Sequence, residues 1–561
     1  MSHLKHIYIA KLVIETTSPM AINSGQRETG FDGELARDAS GLPTIPATAI
    51  AGVWSHIVES ITCEKEGESA AKQLKERWFG NTDQSSSLTI SNGRVHNSNN
   101  QPVSALLTPE EITNDTLLTL LASPAPLHRE RVSLNDRGVA KDTGKFDQVL
   151  LPTGTRFSIT LRFDDRPRKD KAALALEGEH SFKQLLEAWH DPRFAFGSST
   201  RNGLGKIKII AGSLNSIDLA AGIKTSEEIN AVLDKQPQSL DTAFINNHQA
   251  NLLASLPLQA LDNWRSGTGS ERLIDSGKPA SQKKADAVAI QTDSSVQTVQ
   301  SKPTEKGNKG KKDNKHNKHK VVAKAVSVSA RSATISSASD TTHSSQTNFD
   351  KADEVDNIHS LSYSEKVIEW NGITSGSKSS FSKPKAILCG SSIKGILAHR
   401  IAFHYRKHEK IWAESMAEYS HKEWETRPNE LKNLLGLADD SENKDSAAGK
   451  LWVDDCELEF EHTVVRTHNQ IDRFTGGVRK GALYTEELLY QPKFTLKLFL
   501  DPSATLSTSL SSALKDTIND IELGLLPIGA GSGRGNSLIL PNECENNKWS
   551  VNSDLLKGDA L

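Results

Sequence analysis

Cysteine is scarce in this chain: four residues in 561, Cys63, Cys389, Cys456 and Cys544, with no two at CxxC spacing. That excludes a disulfide framework and the common zinc ribbons, and the thiols read as reduced in a cytosolic protein. No apolar run is long enough to span a bilayer, and the opening Met1-Ser-His-Leu-Lys-His6 lacks the apolar core of a signal peptide. The expectation is a cytoplasmic chain with no membrane partner. An excess of one charge is also missing, since 67 Lys and Arg face 70 Asp and Glu for a net charge of -3. A chain-wide polyelectrolyte field is therefore excluded, and nucleic acid would have to be held by local basic patches. The chain has no GxxxxGK[ST] phosphate loop, no HExxH and no nucleophile elbow, so those NTPase, metalloprotease and hydrolase classes lose their usual signatures. At this length one core is too few, and two domains are the natural division.

What the chain does carry is a repeated loop. Phe196-Gly-Ser-Ser-Thr-Arg-Asn-Gly-Leu-Gly-Lys206 and Ile528-Gly-Ala-Gly-Ser-Gly-Arg-Gly-Asn-Ser-Leu538 align without a gap, so that Gly197 falls on Gly529 and Gly203 on Gly535. Each loop runs into an apolar stretch. Lacking a Cβ, glycine lets a second backbone or a phosphate come close. One such loop is usually a turn; two in matching surroundings indicate a duplicated module.

The rest repeats in the same order. Ile7 to Ile14 reads as an opening strand and Leu256-Pro-Leu-Gln-Ala-Leu261 as its counterpart. Ile45-Pro-Ala-Thr-Ala-Ile-Ala-Gly-Val-Trp54 reads as a helix start, with Thr48 as N-cap and Ile50, Val53, Trp54 and Ile57 at helical spacing. Leu388-Cys-Gly-Ser-Ser-Ile-Lys-Gly-Ile-Leu397 falls on it. Leu434-Leu-Gly436 stands near the place of Trp78-Phe-Gly80, and Asp472-Arg473 matches Asp136-Arg137. Phe157, Ile159, Leu161 and Phe163 alternate with polar residues, as do Phe494, Leu496, Leu498 and Leu500, which marks one half-buried strand in each half.

From about Ser270 to Asp350 the symmetry breaks. This stretch is rich in Ser, Thr, Lys, Gln and Asn, nearly empty of aromatics, and includes Lys306-Gly-Asn-Lys-Gly-Lys-Lys-Asp-Asn-Lys-His-Asn-Lys-His-Lys320. It cannot bury enough apolar surface to offset the entropy of ordering, so it is expected to be a disordered insertion within the second module. It reads either as a solvated loop or as a basic arm touching RNA. Limited proteolysis is expected to nick it first, and its deletion to leave assembly intact; an unfolded deletion product would show that it contributes to the core.

On these residues each half resembles the RAMP-type backbone subunit of type III CRISPR effector complexes. Gly390-Ser-Ser-Ile-Lys-Gly395, Ile471-Asp-Arg-Phe-Thr-Gly-Gly477 and Gly529 to Gly535 carry the resemblance in the second half; Pro46 to Gly52, Asp136-Arg137 and Gly197 to Gly205 carry it in the first. Ala51 stands where Lys394 stands, and Cys389 where the family usually has proline. The resemblance implies an α+β fold of two tandem ferredoxin-like (RRM-like) modules, residues 1–245 and 246–561, each with a protruding "thumb" β-hairpin, plus the insertion at 270–350. Two fused modules look most like the double backbone subunit of type III-D systems. The implied function is a crRNA-binding backbone that holds the guide–target duplex and cleaves target RNA as a metal-dependent endoribonuclease in antiviral defence. Its partners would be crRNA, target RNA and other type III effector subunits. The competing reading is a non-catalytic crRNA-binding scaffold whose partners cut. A third, a nucleotide-binding enzyme using the glycine loops, predicts tight mononucleotide binding.

For phosphate binding, the backbone at a helix N-terminus and a nearby lysine suit Gly390, Ser391, Ser392 and Lys394, although an ordinary capped helix explains the same residues. Arg201 and Arg534, with Gly203, Gly533 and Gly535 around them, are further phosphate candidates. Arg137 and Arg473 occupy the thumb motif; Arg473 reads equally as an ion-pair partner of Asp472. Phe146, Phe474 and Tyr484 are the thumb residues suited to wedging between bases, or to pinning the hairpin to its own module. The resemblance places the catalytic aspartate at Asp32, between the first strand and the motif helix, where it would also hold a divalent cation, Mg2+. Asp38 nearby looks like a turn residue. In the second module Ser364 or Glu365 lies at the matching distance; either that module does not cut, or Asp356 does so from a shifted loop.

Overall fold

The computed structural model describes residues 6–26, 31–134, 140–165, 178–218, 227, 238–240, 251–267, 269–270, 272–273, 358–412, 428–436, 448–479 and 482–557. Nearly all of the 270–350 stretch lies outside the described residues, as do Arg137 and Asp356. Both glycine loops and both motif helices belong to one contact unit, Met1–Gly277 with Asn357–Leu561. No helix among the described residues is long and apolar enough to cross a membrane.

Each half is an antiparallel sheet backed by two helices, and the two sheets share one strand order. In the first, Leu88–Ile90 and Gly93–Val95 pair with Arg156–Asp165, which pairs with His6–Thr16, which pairs with Ile207–Asp218. In the second, Leu451–Val453 pairs with Lys493–Leu500, then Leu252–Ala260, then Ile539–Pro541. Numbered along the chain, both read 2-3-1-4, the ferredoxin-like arrangement. The first sheet is extended by Thr44–Ile45 and Gln238–Ser239, the second by Ser550–Val551. Alternation explains why the strands form: Phe157, Ile159, Leu161 and Phe163 are buried on one face, and so are Phe494, Leu496, Leu498 and Leu500.

Helices Ala47–Glu66 and Gly178–Glu187 cover the first sheet, with Trp54 fully buried and its indole N–H donated to the Leu185 carbonyl at 2.8 Å. Helices Gly390–His408 and Thr508–Glu522 do the same for the second, the latter capped by the Ser507 hydroxyl, which accepts the Leu510 N–H. The first motif helix begins before the expected cap: Ala47 is its first residue and Thr48 lies inside it. The cap comes from elsewhere in the fold, as the Asn92 side-chain oxygen accepts the Ala47 N–H at 2.8 Å. The short helices Glu68–Phe79 and Asn429–Leu435 end at Gly80 and Gly436, both in a positive-φ backbone, so the two turns do correspond.

A hairpin of the second half, Ile368–Trp370 with Ser379–Phe381, lies across the first module. Ile368 packs into the first core and donates its N–H to the Thr153 carbonyl at 2.9 Å. The Arg156 guanidinium donates to the Gly372 carbonyl at 2.9 Å and stacks over the Trp370 ring at 4.3 Å.

Candidate nucleic-acid interface

The two glycine loops have the same backbone. φ is 90° at Gly197 and 115° at Gly529, 58° at Ser199 and 81° at Gly531, 92° at Gly203 and 83° at Gly535, 76° at Gly205 and 73° at Ser537. Each loop closes on itself, Phe196 N–H to the Gly205 carbonyl and Ile528 N–H to the Ser537 carbonyl. Each is tied to the segment after its module's first strand, Ser198 N–H to the Ala21 carbonyl and Ala530 N–H to the Arg265 carbonyl, both at 2.8 Å.

Their surroundings differ. The first loop is docked on the second module, where a Cβ on Gly203 would lie 2.7 Å from the Asp455 nitrogen. Arg201 stacks over the Trp452 ring at 4.9 Å and lies 3.6 Å from Asp501. Lys206 pairs with Asp454. Arg201 and Gly203 therefore sit in the junction between modules. The second loop faces outward: a Cβ on Gly533 or Gly535 would meet nothing within 4 Å, and Arg534 is exposed, 3.6 Å from Glu486.

Asp455 organises the junction. One carboxylate oxygen accepts the Gly390 N–H at 2.7 Å, as Asn92 does for Ala47; the other takes Arg129 at 2.7 Å. Arg129 also reaches Glu365 at 2.6 Å, and the side chains of Arg129 and Glu365 are 3% and 4% exposed. Burial works against the Arg129 charge, but Asp455 and Glu365 hold its pKa well above the ordinary value. The helix N-terminus expected to cradle phosphate thus has its Gly390 N–H already bound by a protein carboxylate. Ser391 is half-buried, Ser392 exposed and Lys394 buried.

A cation that sequence reasoning passed over stands beside this junction. Arg131 donates to the Ser199 hydroxyl at 3.3 Å, while its Nε and Nη2 are buried with no hydrogen-bond partner among the described residues. Burial, then the neighbouring Arg129, lowers its pKa. Its place on a strand opposite Phe146 was the available signal, lost within a stretch that reads merely as polar.

Asp32 is exposed at the base of the first thumb, the hairpin Leu127–Leu134 with Ala140–Leu150. Its carboxylate accepts the Asp147 N–H at 2.9 Å, and Asp147 lies 3.3 Å from His128, whose ring meets Phe31 edge-on at 5.4 Å. Asp147 and His128 were not singled out by the sequence; hairpin register brings them to Asp32. Among the described residues no group of three or more His, Cys, Asp or Glu is arranged to hold a metal. Of the two aspartates, the Asp32 carboxylate alone offers a hard oxygen donor suited to a magnesium that keeps most of its waters, since Asp147 gives its N–H to that contact and turns its carboxylate to His128.

Hydrogen bonding fixes the equivalent station in the second module. Ala36 N–H to the Ile22 carbonyl corresponds to Tyr363 N–H to the Ser266 carbonyl, and the Arg37–Pro43 bridge to the Ser364–Ala386 pair. This register puts His359 in the place of Asp32, and His359 Nδ1 lies 3.2 Å from the Thr485 nitrogen as the Asp32 carboxylate lies against the Asp147 nitrogen. Ser364 and Glu365, expected at that place, fall instead on Arg37 and Asp38. The second module lengthens its connection with the Ile368–Phe381 hairpin, so counting back from the helix misplaces the station. Asp38 accepts the N–H groups of Ser40 and Leu42 and is a turn residue, as expected.

The second thumb pairs Thr463–His468 with Tyr484–Tyr490. At its tip the Asp472 carboxylate accepts the N–H groups of Phe474 and Thr475, both at 2.9 Å, which lowers its pKa and leaves Phe474 100% exposed. The Asp472 carboxylate is thereby engaged by the backbone, and Arg473 is exposed. Phe146 is exposed, and Tyr484 stacks on His468 at 4.9 Å.

No curated protein matches the chain. Among solved structures it is similar to a chain of a type III-B Cmr-beta complex bound to cognate target RNA, at 15% identity and a TM-score of 0.24, the match spanning 38% of this chain and 61% of that one. Two stretches, residues 13–208 and 379–538, match the family described as the RAMP superfamily. Each stretch holds one motif helix and one glycine loop, and together they make up more than half of the sequence, so the chain belongs to the RAMP superfamily and carries its module twice.

Proposed function

We propose that this chain is a cytoplasmic crRNA-binding backbone subunit of a type III CRISPR effector complex, most like a double backbone subunit, and that its first module cleaves target RNA paired to the guide. The observation that carries the reading is the meeting of Asp32, Asp147 and His128 at the base of a thumb hairpin. RNA supplies its own nucleophile, the 2′-OH, so the protein has to align it with the scissile phosphate and manage protons. In this scheme Asp32 accepts the 2′-OH proton while the 2′ oxygen bonds to phosphorus. His128 returns a proton to the departing 5′ oxygen as the P–O5′ bond breaks, leaving a 2′,3′-cyclic phosphate and a 5′-OH. Magnesium held through Asp32 would neutralise the phosphoryl oxygens. Arg131, Arg473 and Ser392 supply sequence-independent phosphate contacts. His359 in place of Asp32 supports a second module that holds RNA without cutting.

The test is the purified assembled complex with labelled complementary RNA and magnesium, the cuts being mapped on a gel. The scaffold reading draws support from the Asp32–Asp147 hydrogen bond, which would pin the thumb whether or not any RNA is cut. It predicts guide and target binding with no cut lost in Asp32→Asn. Phe474→Ala is expected to change stability by less than about 0.5 kcal/mol, because the ring is fully exposed, and to blur cleavage spacing with guide binding intact. Lost guide binding would count against the wedge role.

A further inference from the structure

The internal junction is a heterologous contact: a glycine loop and a thumb-base arginine of one module meet the motif-helix N-terminus of the next. The second module carries the same two elements on its outward side. Arg129 stands opposite Gln148, and Arg466 opposite Glu486. Gln148 and Glu486 each lie three residues before the leucine, Leu151 or Leu489, that pairs with Met20 or Trp264. Arg466 is therefore the counterpart of Arg129. Arg129 is buried against Glu365 and Asp455, whereas the Arg466 side chain is 43% exposed and meets Asp262 at 3.9 Å. Gly203 is packed against Asp455, whereas the space over Gly535 is open. Two independent elements are thus docked at the inner junction and exposed at the outer one.

We propose that this outward face, Arg466 with the Gly531–Gly535 loop and Arg534, docks onto the motif-helix N-terminus of another RAMP-type module that presents a carboxylate at the place of Asp455. A second copy of this chain does not fit. Leu88–Ile90 pairs with Arg156–Asp165 as Leu451–Val453 pairs with Lys493–Leu500, which places Thr89 at Trp452, Ser91 at Asp454, Asn92 at Asp455 and Arg162 at Phe499. The receiving face of the first module has lost both adjacent carboxylates and gained a cation. Of its remaining carboxylates, Asp164 is bound by Arg162 at 2.7 Å, and Asp38, at the place of Glu365, is taken up by the N–H groups of Ser40 and Leu42. The two ends of the chain are not complementary, so a different subunit occupies the outward face and the chain does not polymerise by itself. The proposal deepens the assembly part of the proposed function and is independent of where RNA is cut.

Sedimentation of the full chain tests it without the partner. The wild type is expected to stay monomeric across the micromolar range. Asn92→Asp with Arg162→Gln gives the first module an acidic receiving face and should make the chain self-associate at least about tenfold more tightly, and adding Arg466→Glu should return it to monomer. Should the double variant fail to fold by circular dichroism, Asn92→Asp alone, which keeps the helix cap, serves instead. A folded variant that stays monomeric overturns the docking face. Wild-type self-association abolished by Arg466→Glu overturns the choice of partner, making a second copy the occupant. In the assembled complex, Arg466→Glu should remove the adjoining subunit in native mass spectra while the Asp32-dependent cut, scored separately, reports on the catalytic reading.

Discussion

Arg129→Ala is expected to destabilise the chain by about 3–5 kcal/mol, the usual result of stripping the partner from buried charges. The substitution leaves Glu365 and Asp455 facing each other with side chains 4% and 11% exposed and no cation between them. Among the described residues Arg131 is the one nearby cation whose charge acts on Asp455, and the neighbouring neutral groups offer no relief. Burial, with Glu365 beside it, raises the Tyr363 hydroxyl well above its usual value, and burial pushes the Cys389 thiol up to about 12. A fall of several degrees in the thermal midpoint is the expected outcome, with the backbone amides of the junction the first to exchange their hydrogens. Asp455→Asn in the same background should recover part of the loss, because it removes one orphaned charge and keeps the Gly390 cap, as Asn92 does in the first module. A change in stability below about 1 kcal/mol would mean that the pair is not desolvated as described.

Asp32→Ala carries the largest expected effect on activity. Losing a positioned proton acceptor should slow target cleavage at least about 100-fold. Guide and target affinity should hold or rise slightly, since a carboxylate beside RNA phosphates repels them. The hydrogen bond to Asp147 is worth about 1 kcal/mol, so the fold should survive. Asp32→Asn keeps the shape and should lose the cut equally, and EDTA should mimic both. Lost target binding would assign Asp32 a structural role instead. A residual cut at a second, regular position would assign it to the second module, through Asp356 or His359.

Much of this was legible in the chain. The gapless alignment of the two glycine loops is repeated dihedral for dihedral, since a left-handed backbone at fixed offsets demands glycine or tolerates little else. The alternating strands and motif helices followed from periodicity. What was not legible depends on distant pairing. Sequence gives no sign that Arg129 closes a junction with Glu365 and Asp455, because its partners are more than two hundred residues away. Nor does it reveal that Asp455 takes the Gly390 N–H expected to face phosphate, or that Gly203 packs on protein while Gly535 faces out. The second-module counterpart of Asp32 was missed because an inserted hairpin changed the spacing to the helix, while the hydrogen-bond register to the thumb stayed intact.

One module that cuts beside one that only holds is the central claim, and the cleavage map of a long complementary RNA tests it most directly. With wild-type complex and magnesium, a single cut attributable to this chain is predicted, absent with Asp32→Ala and undisturbed by His359→Ala. Uncut RNA in the wild type, or the same cut at the same rate with Asp32→Ala, would contradict it.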